Sequence, residues 1–193
     1  THCGRRKGSA WYDHDYLGSN LRLTEFQAAL LLAQLTRLEA QTLRRQTSAQ
    51  ILDTELAAIP ALRLLRPDPR TNRRSYHMYI FRVDETALGI SRDRFVEALT
   101  AEGVPCSKGW YRPLYLNGVF QNATVGPAHG ITAPLAGTGA DYRQTHCPVC
   151  EQACRDAVWI PQNVLLGGDG DLRLVAQAVK KVVAHAHANL RSS

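Results

Sequence analysis

Apolar and polar residues alternate at helical spacing over one unusually long segment of the chain. Residues 24–58 contain neither Gly nor Pro and are rich in Leu, Ala, Gln, Glu and Arg, and Pro60 follows them. Thr24 and Gln27 have the spacing of a capping box. The pattern therefore predicts a helix over residues 24–58. At 1.5 Å per residue it would be about 50 Å long, more than the roughly 35 Å diameter of a 100-residue domain.

Two apolar stretches within this helix are separated by the polar segment 41–48. The pattern predicts two buried ends joined by a solvated middle, as in a helix that bridges two bodies. A single long surface helix or a coiled-coil arm is the alternative. The first stretch is Phe26, Leu30, Leu31, Leu35 and Leu38, and the second is Ala49, Leu52, Leu56 and Ile59.

The rest of the chain alternates short strand patterns with helix patterns. Branched and aromatic residues predict strands within 60–65, 75–83, 104–111 and 158–161. Apolar spacing predicts helices within 89–103, 145–157 and 171–189, the first of them with Ser91 as its N-cap. This order indicates a small mixed α/β domain. Residues 117–142 are rich in Gly, and they are expected to form a surface loop or a lid.

Composition is that of a globular protein, with 45% apolar and 21% charged residues. Nothing approaches the roughly 18 consecutive apolar residues of a membrane span, so we expect a soluble, cytoplasmic protein. The formal net charge of +6 is spread along the chain, which favours small anionic molecules over nucleic acid. A basic, nucleic-acid-associated domain is nevertheless one alternative. Five cysteines in a chain of this length suit reduced thiols.

Four neighbouring residues have the donor types of a zinc site: His146, Cys147, Cys150 and Cys154. Structural zinc sites usually join two ligand pairs from separate turns, whereas these residues fall in one predicted helix. The three cysteines lie three and four positions apart, which is also the spacing of a buried helix face. We therefore predict an apolar helix face and no metal.

The segment from Gly18 resembles a known family. GSNLRLTEFQAALLLAQLTRLEAQTLRR is similar to the segment that follows the cofactor lysine in the DegT/StrS family of pyridoxal-phosphate-dependent sugar aminotransferases. The resemblance continues in SYHMYIFR, SRDRFVEALTAEGVP, WYRPLYLN and HCPVCEQACRDAVWIPQNVLLGG. It covers nearly the whole chain except residues 117–142, and its last segment is similar to the branch that aminates inosose cyclitols or related antibiotic precursors.

The resemblance implies the C-terminal part of a fold-type I enzyme that works as a homodimer with shared active sites. Residues 1–23 would end the large cofactor domain, residues 24–58 would form the interdomain helix, and residues 59–193 would form the small α/β domain. The implied reaction moves an amino group from glutamate or glutamine to a keto-sugar or keto-cyclitol. A truncated, non-catalytic dimerisation domain is the alternative.

The candidate cofactor ligands are Asn20 and Arg22. An amide just before a helix N-terminus suits a phosphate, although an Asn in a turn often bonds only its own backbone. The resemblance places Asn20 on the pyridoxal-phosphate phosphate of the neighbouring subunit. Arg22 suits an anion or an ordinary interface contact equally well.

The candidate substrate residues are Tyr76, His77, Tyr111 and Arg112, although aromatic side chains in strands more often pack in a core. In the family the cofactor lysine lies several tens of residues before the Asn20 loop. Lys7 is too close to that loop, and Lys108, Lys180 and Lys181 follow it. No catalytic residue is therefore expected within these 193 residues, which would be inactive alone.

Overall fold

The structure, a computed structural model, describes residues 5, 7–8, 10, 13–15, 23–109, 112–121 and 142–191. The chain divides into two compact units. The larger unit comprises Phe26–Gly109 and Arg155–Ser193, and the smaller comprises Thr1–Glu25 and Trp110–Cys154. None of the helices in the described residues has the length and apolar content needed to cross a bilayer.

The larger unit opens with two helices instead of the one predicted over residues 24–58. Helix α1 is Glu25–Leu35 and helix α2 is Leu38–Leu56. Between them the Thr36 hydroxyl donates to the Ala33 carbonyl at 2.8 Å, and the Arg37 amide donates to the Gln34 carbonyl at 3.1 Å. These bonds close a tight turn where the α-helical ladder would continue. The prediction of an uninterrupted helix was therefore wrong at this point.

Burial along these two helices also differs from the prediction. The first apolar stretch is exposed, with Phe26 at 86%. The second is buried as predicted at Ala49, Leu52 and Leu56. The middle segment was expected to be solvated, yet one face of it, formed by Thr42, Arg45 and Ser48, is buried. The Ser48 hydroxyl donates to the Leu165 carbonyl at 2.6 Å, which satisfies a polar group inside the core.

Four antiparallel strands form the sheet of the larger unit, in the order β1–β2–β4–β3. Strand β1 is Leu62–Leu64, β2 is Met78–Val83, β3 is Ser107–Lys108 and β4 is Ala157–Pro161. The predicted strands at 75–83 and 104–111 are thus present but shorter. Strand β2 starts late because Tyr76 has a left-handed backbone with φ of 47°, which a strand does not accommodate.

The remaining helices of this unit follow the predicted pattern closely. Helix α3 is Glu85–Leu88 and α4 is Arg92–Ala101. The Ser91 hydroxyl accepts a hydrogen bond from the Arg94 amide at 3.3 Å, which confirms the predicted N-cap of α4. The final helix runs Asp169–Arg191 and is numbered α7 below. Its predicted inward residues Leu172, Val175, Val179, Val182 and Val183 are all buried.

The side chains on one face of the sheet pack in the hydrophobic core of the larger unit. Side chains alternate along a strand, so Tyr79, Phe81 and Val83 of β2 are buried while Met78, Ile80 and Arg82 point to the opposite face. The Tyr79 hydroxyl donates to Asp53 Oδ1 at 2.7 Å, and burial raises the pKa of Tyr79. The largest fully buried side chains are Phe81, Phe95, Leu52, Leu56, Leu88, Leu99, Ile160, Leu165, Leu172, Val83, Val158 and Val179.

The smaller unit contains short helical segments. Helix α5 is Gly118–Gln121, which lies inside the segment predicted to be a loop or lid, and residues 122–141 are outside the described residues. Helix α6 is Pro148–Asp156, in agreement with the predicted helix over 145–157, and only its last two residues belong to the larger unit. The Gln121 side-chain amide donates to the Tyr115 carbonyl at 2.6 Å, and this bond anchors α5.

Candidate functional site

Three of the six predicted site residues fall within the described residues. Asn20, Arg22 and Tyr111 lie outside them. Tyr76 and His77 belong to the larger unit and Arg112 to the smaller unit. Of the predicted site residues, the structure therefore describes one adjacent pair in the larger unit, Tyr76 and His77, and one residue in the smaller unit, Arg112.

Tyr76 and His77 stand at the beginning of β2. Tyr76 is half-buried, its backbone is left-handed, and the Arg74 guanidinium lies 5.5 Å from the centroid of its ring. A left-handed backbone is costly for a bulky residue, so the surrounding contacts must hold it. His77 follows with an exposed imidazole. His77 thus joins the unusual backbone of Tyr76 to Met78, the first residue of β2.

A buried arginine of helix α2 holds the segment that precedes β2. Arg45 of α2 is only 6% exposed, and its guanidinium donates to three neutral acceptors. The acceptors are the Ser75 carbonyl at 2.8 Å, Gln162 Oε1 at 3.3 Å and Thr42 Oγ1 at 3.0 Å. One side chain therefore ties together the residue before Tyr76, the residue after β4 and helix α2. Sequence reasoning missed Arg45, because a buried arginine in a polar helix segment has the same pattern as a solvated one.

A pocket of about 480 Å³ opens beside His77, where β2 begins and β4 ends. We call it the β2–β4 pocket. The register places Met78 opposite Pro161 and Ser107 opposite Trp159, so these four side chains share the sheet face away from the core. The lining residues are His77, Met78, Thr100, Pro105, Cys106, Ser107, Trp159, Pro161, Gln162 and Asn163.

Two polar side chains of this pocket are held by hydrogen bonds within the wall. Thr100 Oγ1 lies 3.5 Å from Cys106 Sγ, and Gln162 accepts from Arg45. Cys106 Sγ also donates to the Val96 carbonyl at 3.7 Å, and burial raises the pKa of the Cys106 thiol. A protonated, hydrogen-bonded thiol is a poor nucleophile, so Cys106 belongs to the wall of the pocket and not to its chemistry.

Arg112 in the smaller unit forms an ion pair with Asp13. The Tyr115 hydroxyl donates to Glu151 Oε1 at 2.6 Å, and this bond raises the pKa of Tyr115 to about 12. The same carboxylate oxygen accepts from the Cys147 amide at 2.8 Å. The Arg112 charge is thus already balanced by a carboxylate in this unit.

The cysteine-rich helix differs from the prediction. Cys154 is buried, but Cys147 and Cys150 are exposed, so the three do not form one buried face. Glu151, one position after Cys150, is the residue of this turn that contacts Tyr115. No group of three or more His, Cys, Asp or Glu side chains in the described part of the chain is arranged to hold a metal ion.

Residues 1–180 match the DegT/DnrJ/EryC1/StrS aminotransferase family. The chain belongs to this family. It is 35% identical over 185 residues to an L-glutamine:2-deoxy-scyllo-inosose aminotransferase from Streptoalloteichus tenebrarius, across 92% of this chain and 41% of that protein. It is 32% identical over 187 residues to a 3-amino-5-hydroxybenzoate synthase from Amycolatopsis mediterranei, across 95% of this chain and 44% of that protein.

The fold agrees with this membership. The crystal structure of a 3-amino-5-hydroxybenzoic acid synthase matches 95% of the chain with a TM-score of 0.66 and 30% identity, over 44% of its own length. The predicted fold class, part of a fold-type I aminotransferase with a small mixed α/β domain, is confirmed. The chain spans less than half the length of the relatives it matches.

Proposed function

We propose that these 193 residues are the C-terminal portion of a pyridoxal-phosphate-dependent aminotransferase. The whole enzyme would transfer an amino group from glutamine or glutamate to a keto-cyclitol or keto-sugar in the cytoplasm. The observation that carries the proposal is the family match over residues 1–180. A 35% identity with a glutamine:inosose aminotransferase supports the donor and acceptor classes.

Pyridoxal phosphate, when bound, supplies an aldehyde that takes up the amino group of the donor, and the cofactor then passes this group to the acceptor. We assign its phosphate to Asn20 of a neighbouring subunit, with Arg22 as a second anion contact. Both residues stand just before α1, and a helix N-terminus favours an anion. Asn20 and Arg22 lie outside the described residues, and the assignment rests on the motif and on the helix that follows it in the sequence.

Three of the four lysines are engaged in ion pairs in the larger unit. Lys108 contacts Asp93, Lys180 contacts Glu55 and Lys181 contacts Glu102, at 2.6 to 2.7 Å. A cofactor lysine must have its amine free to react with the aldehyde, whereas each of these three amines contacts a carboxylate. The fourth, Lys7, is too close to the Asn20 loop for the position that the family's lysine occupies. We therefore assign the cofactor lysine to a part of the polypeptide outside these 193 residues.

The substrate-side residues of the proposal are Tyr76, His77, Tyr111 and Arg112. We infer a homodimer, because a phosphate contact from a neighbouring subunit requires two chains. The dimer would then contain two shared active sites, each completed by the Asn20 loop of the other subunit.

The test is the absorption spectrum of the protein expressed from its complete reading frame, with added pyridoxal phosphate. We expect a bound-cofactor band in the visible range that bleaches when glutamine or glutamate is added. Asn20→Ala in this protein should weaken cofactor affinity about tenfold or more, since a charge-assisted hydrogen bond contributes about 1.5–3 kcal/mol. Asn72→Ala, in an exposed loop, is the matched control and should retain wild-type affinity.

Two results would contradict the proposal. A complete protein that binds no cofactor would remove the aminotransferase assignment. Equal cofactor affinity for wild type and Asn20→Ala, with both proteins folded, would remove the role of Asn20 while leaving the activity in place.

A non-catalytic dimerisation domain is the second candidate, and the exposed apolar residues of α1 favour it. A stable assembly of this chain that never acquires cofactor, even from the complete reading frame, would support that candidate.

A further inference from the structure

We propose that the β2–β4 pocket binds an uncharged polyhydroxylated ring, with His77, Ser107 and Asn163 as its hydrogen-bonding residues. The inference rests on the proposed function and narrows it, since it selects a free keto-cyclitol over a sugar carried on a nucleoside diphosphate. It adds Ser107 and Asn163, which sequence reasoning did not identify, to His77.

The charge of the lining is the first argument. None of the ten lining residues in the described part of the chain is Asp, Glu, Lys or Arg. The Arg45 guanidinium lies behind the wall, where Gln162 accepts one of its hydrogen bonds. A diphosphate brought into a neutral pocket would lose hydration without gaining a counter-charge. A neutral ring loses less hydration and can recover it through hydrogen bonds, so the lining favours the neutral ring over the diphosphate.

The second argument is the supply of hydrogen-bonding groups. The side chains of His77, Ser107 and Asn163 make no hydrogen bond to any other described residue. Thr100 already contacts Cys106, and Gln162 already accepts a hydrogen bond from Arg45. Three side chains of different chemistry, an imidazole, a hydroxyl and an amide, thus offer both donors and acceptors to one space. Ring hydroxyls, which donate and accept, are matched to that set.

The apolar part of the lining is the third argument. Met78, Pro105, Trp159 and Pro161 supply hydrocarbon and indole surface between the polar groups. The C–H edges and faces of a cyclitol ring are apolar and pack against such surface. A volume of about 480 Å³ lies within the usual 300–1,000 Å³ of small-molecule sites.

The pocket is also held in shape before any ligand arrives. Arg45 bonds both the Ser75 carbonyl, two residues before His77, and the lining residue Gln162. The Gln46 side-chain amide donates to the Arg74 carbonyl at 3.2 Å and fixes the same segment. Preorganisation of this kind reduces the entropy lost on binding. Arg45 therefore holds Gln162 directly and the segment before His77 through the Ser75 carbonyl.

The experiment uses the complete, cofactor-loaded enzyme and two uncharged probes. Myo-inositol, which has no keto group, reports equilibrium binding by calorimetry, and 2-deoxy-scyllo-inosose reports the KM of the acceptor. Ser107→Ala and Asn163→Ala should each raise both the Kd and the KM about three- to tenfold, as expected for the loss of a neutral hydrogen bond. Gln177→Ala, on the exposed side of α7, is the matched control and should change neither value.

Two outcomes overturn the inference. One is unchanged Kd and KM in folded Ser107→Ala and Asn163→Ala proteins. The other is an acceptor preference for a nucleoside-diphosphate keto-sugar with no binding of either cyclitol. The proposed function is tested separately by bleaching of the wild-type cofactor band with glutamine alone, so a protein that bleaches but shows either outcome fails only the pocket assignment.

Discussion

At the scale of single residues, the pair Arg82–Asp156 offers the sharpest energetic contrast in the larger unit. Arg82 Nε and Nη2 contact the two oxygens of Asp156 at 2.7 and 2.6 Å, which is the bidentate geometry of a strong ion pair. The Asp156 side chain is 8% exposed and that of Arg82 is 27% exposed. The hydrogen bond that Arg82 donates to Asp156 raises the pKa of Arg82. A carboxylate this buried depends on its partner.

Arg82→Ala is therefore expected to lower the free energy of unfolding by about 3 kcal/mol, because it leaves the Asp156 charge buried without this partner. Arg94→Ala is the control, since the Arg94–Glu97 pair is 78% and 65% exposed and should contribute less than about 1 kcal/mol. Urea unfolding of both variants measures the difference. Equal losses would show that burial of Asp156 has no energetic consequence.

The residue scale is also where sequence reasoning was least complete. His77 was predicted as a substrate residue, and its side chain lines a pocket, while the role itself stays a prediction. Arg45, Ser107 and Asn163 carried no signal, because their roles depend on tertiary contacts more than 10 residues away in the chain. The exposure of Cys147 and Cys150 could not be read from spacing either, since periodicity indicates a common face but not which face is buried.

At the scale of elements, the edge strand β3 is short and its pairing with β4 continues through one glycine. The Gly109 amide donates to the Ala157 carbonyl at 2.8 Å. A Cβ atom at position 109 would lie 2.6 Å from Ala157 Cβ and 3.0 Å from the Ala157 carbonyl oxygen. Only glycine permits this close approach of the two backbones.

Gly109→Ala should therefore destabilise the larger unit by about 1–3 kcal/mol, as overpacking usually does. Gly170→Ala is the opposite case, because position 170 lies in the first turn of α7 with no atom within 4 Å of the added Cβ. This control should be neutral or stabilise by up to about 1 kcal/mol. Thermal unfolding that ranks Gly109→Ala at or above Gly170→Ala would disprove the close-approach argument.

Elements with a strong apolar period were the most predictable. Helices α4 and α7 have the inward residues expected from spacing, and α4 has the expected cap. The turn at Thr36 and Arg37 was not predictable, because neither Gly nor Pro marks it. Strand β2 began later than its composition suggested, since Tyr76 has a left-handed backbone. The tertiary contacts beside it, from Arg45 to the Ser75 carbonyl and from Arg74 to the Tyr76 ring, are not visible to β-propensity.

At the scale of the whole molecule, helix α1 is notable because the other described residues leave its apolar side chains exposed. It has no buried residue, although most of its side chains are apolar. Contiguous apolar surface of this kind commonly marks an interface. In the proposed homodimer, Asn20 reaches the neighbouring subunit, and α1 begins five residues later. We therefore expect the α1 surface to pack against the second subunit.

The exposed apolar residues of α1 include Phe26 at 86% and Leu30 at 66%. The double change Phe26→Ser and Leu30→Ser in the complete enzyme should weaken the dimer at least about tenfold, because each buried large apolar side chain contributes about 1.5–3 kcal/mol. Sedimentation across a concentration series measures this change. Leu174→Ser is the control, since Leu174 is similarly exposed, at 63%, on α7.

A shared site also predicts that the α1 variant loses cofactor affinity as its dimer dissociates, whereas Leu174→Ser retains both the dimer and the cofactor affinity. A variant that stays dimeric at wild-type strength would place the interface away from α1.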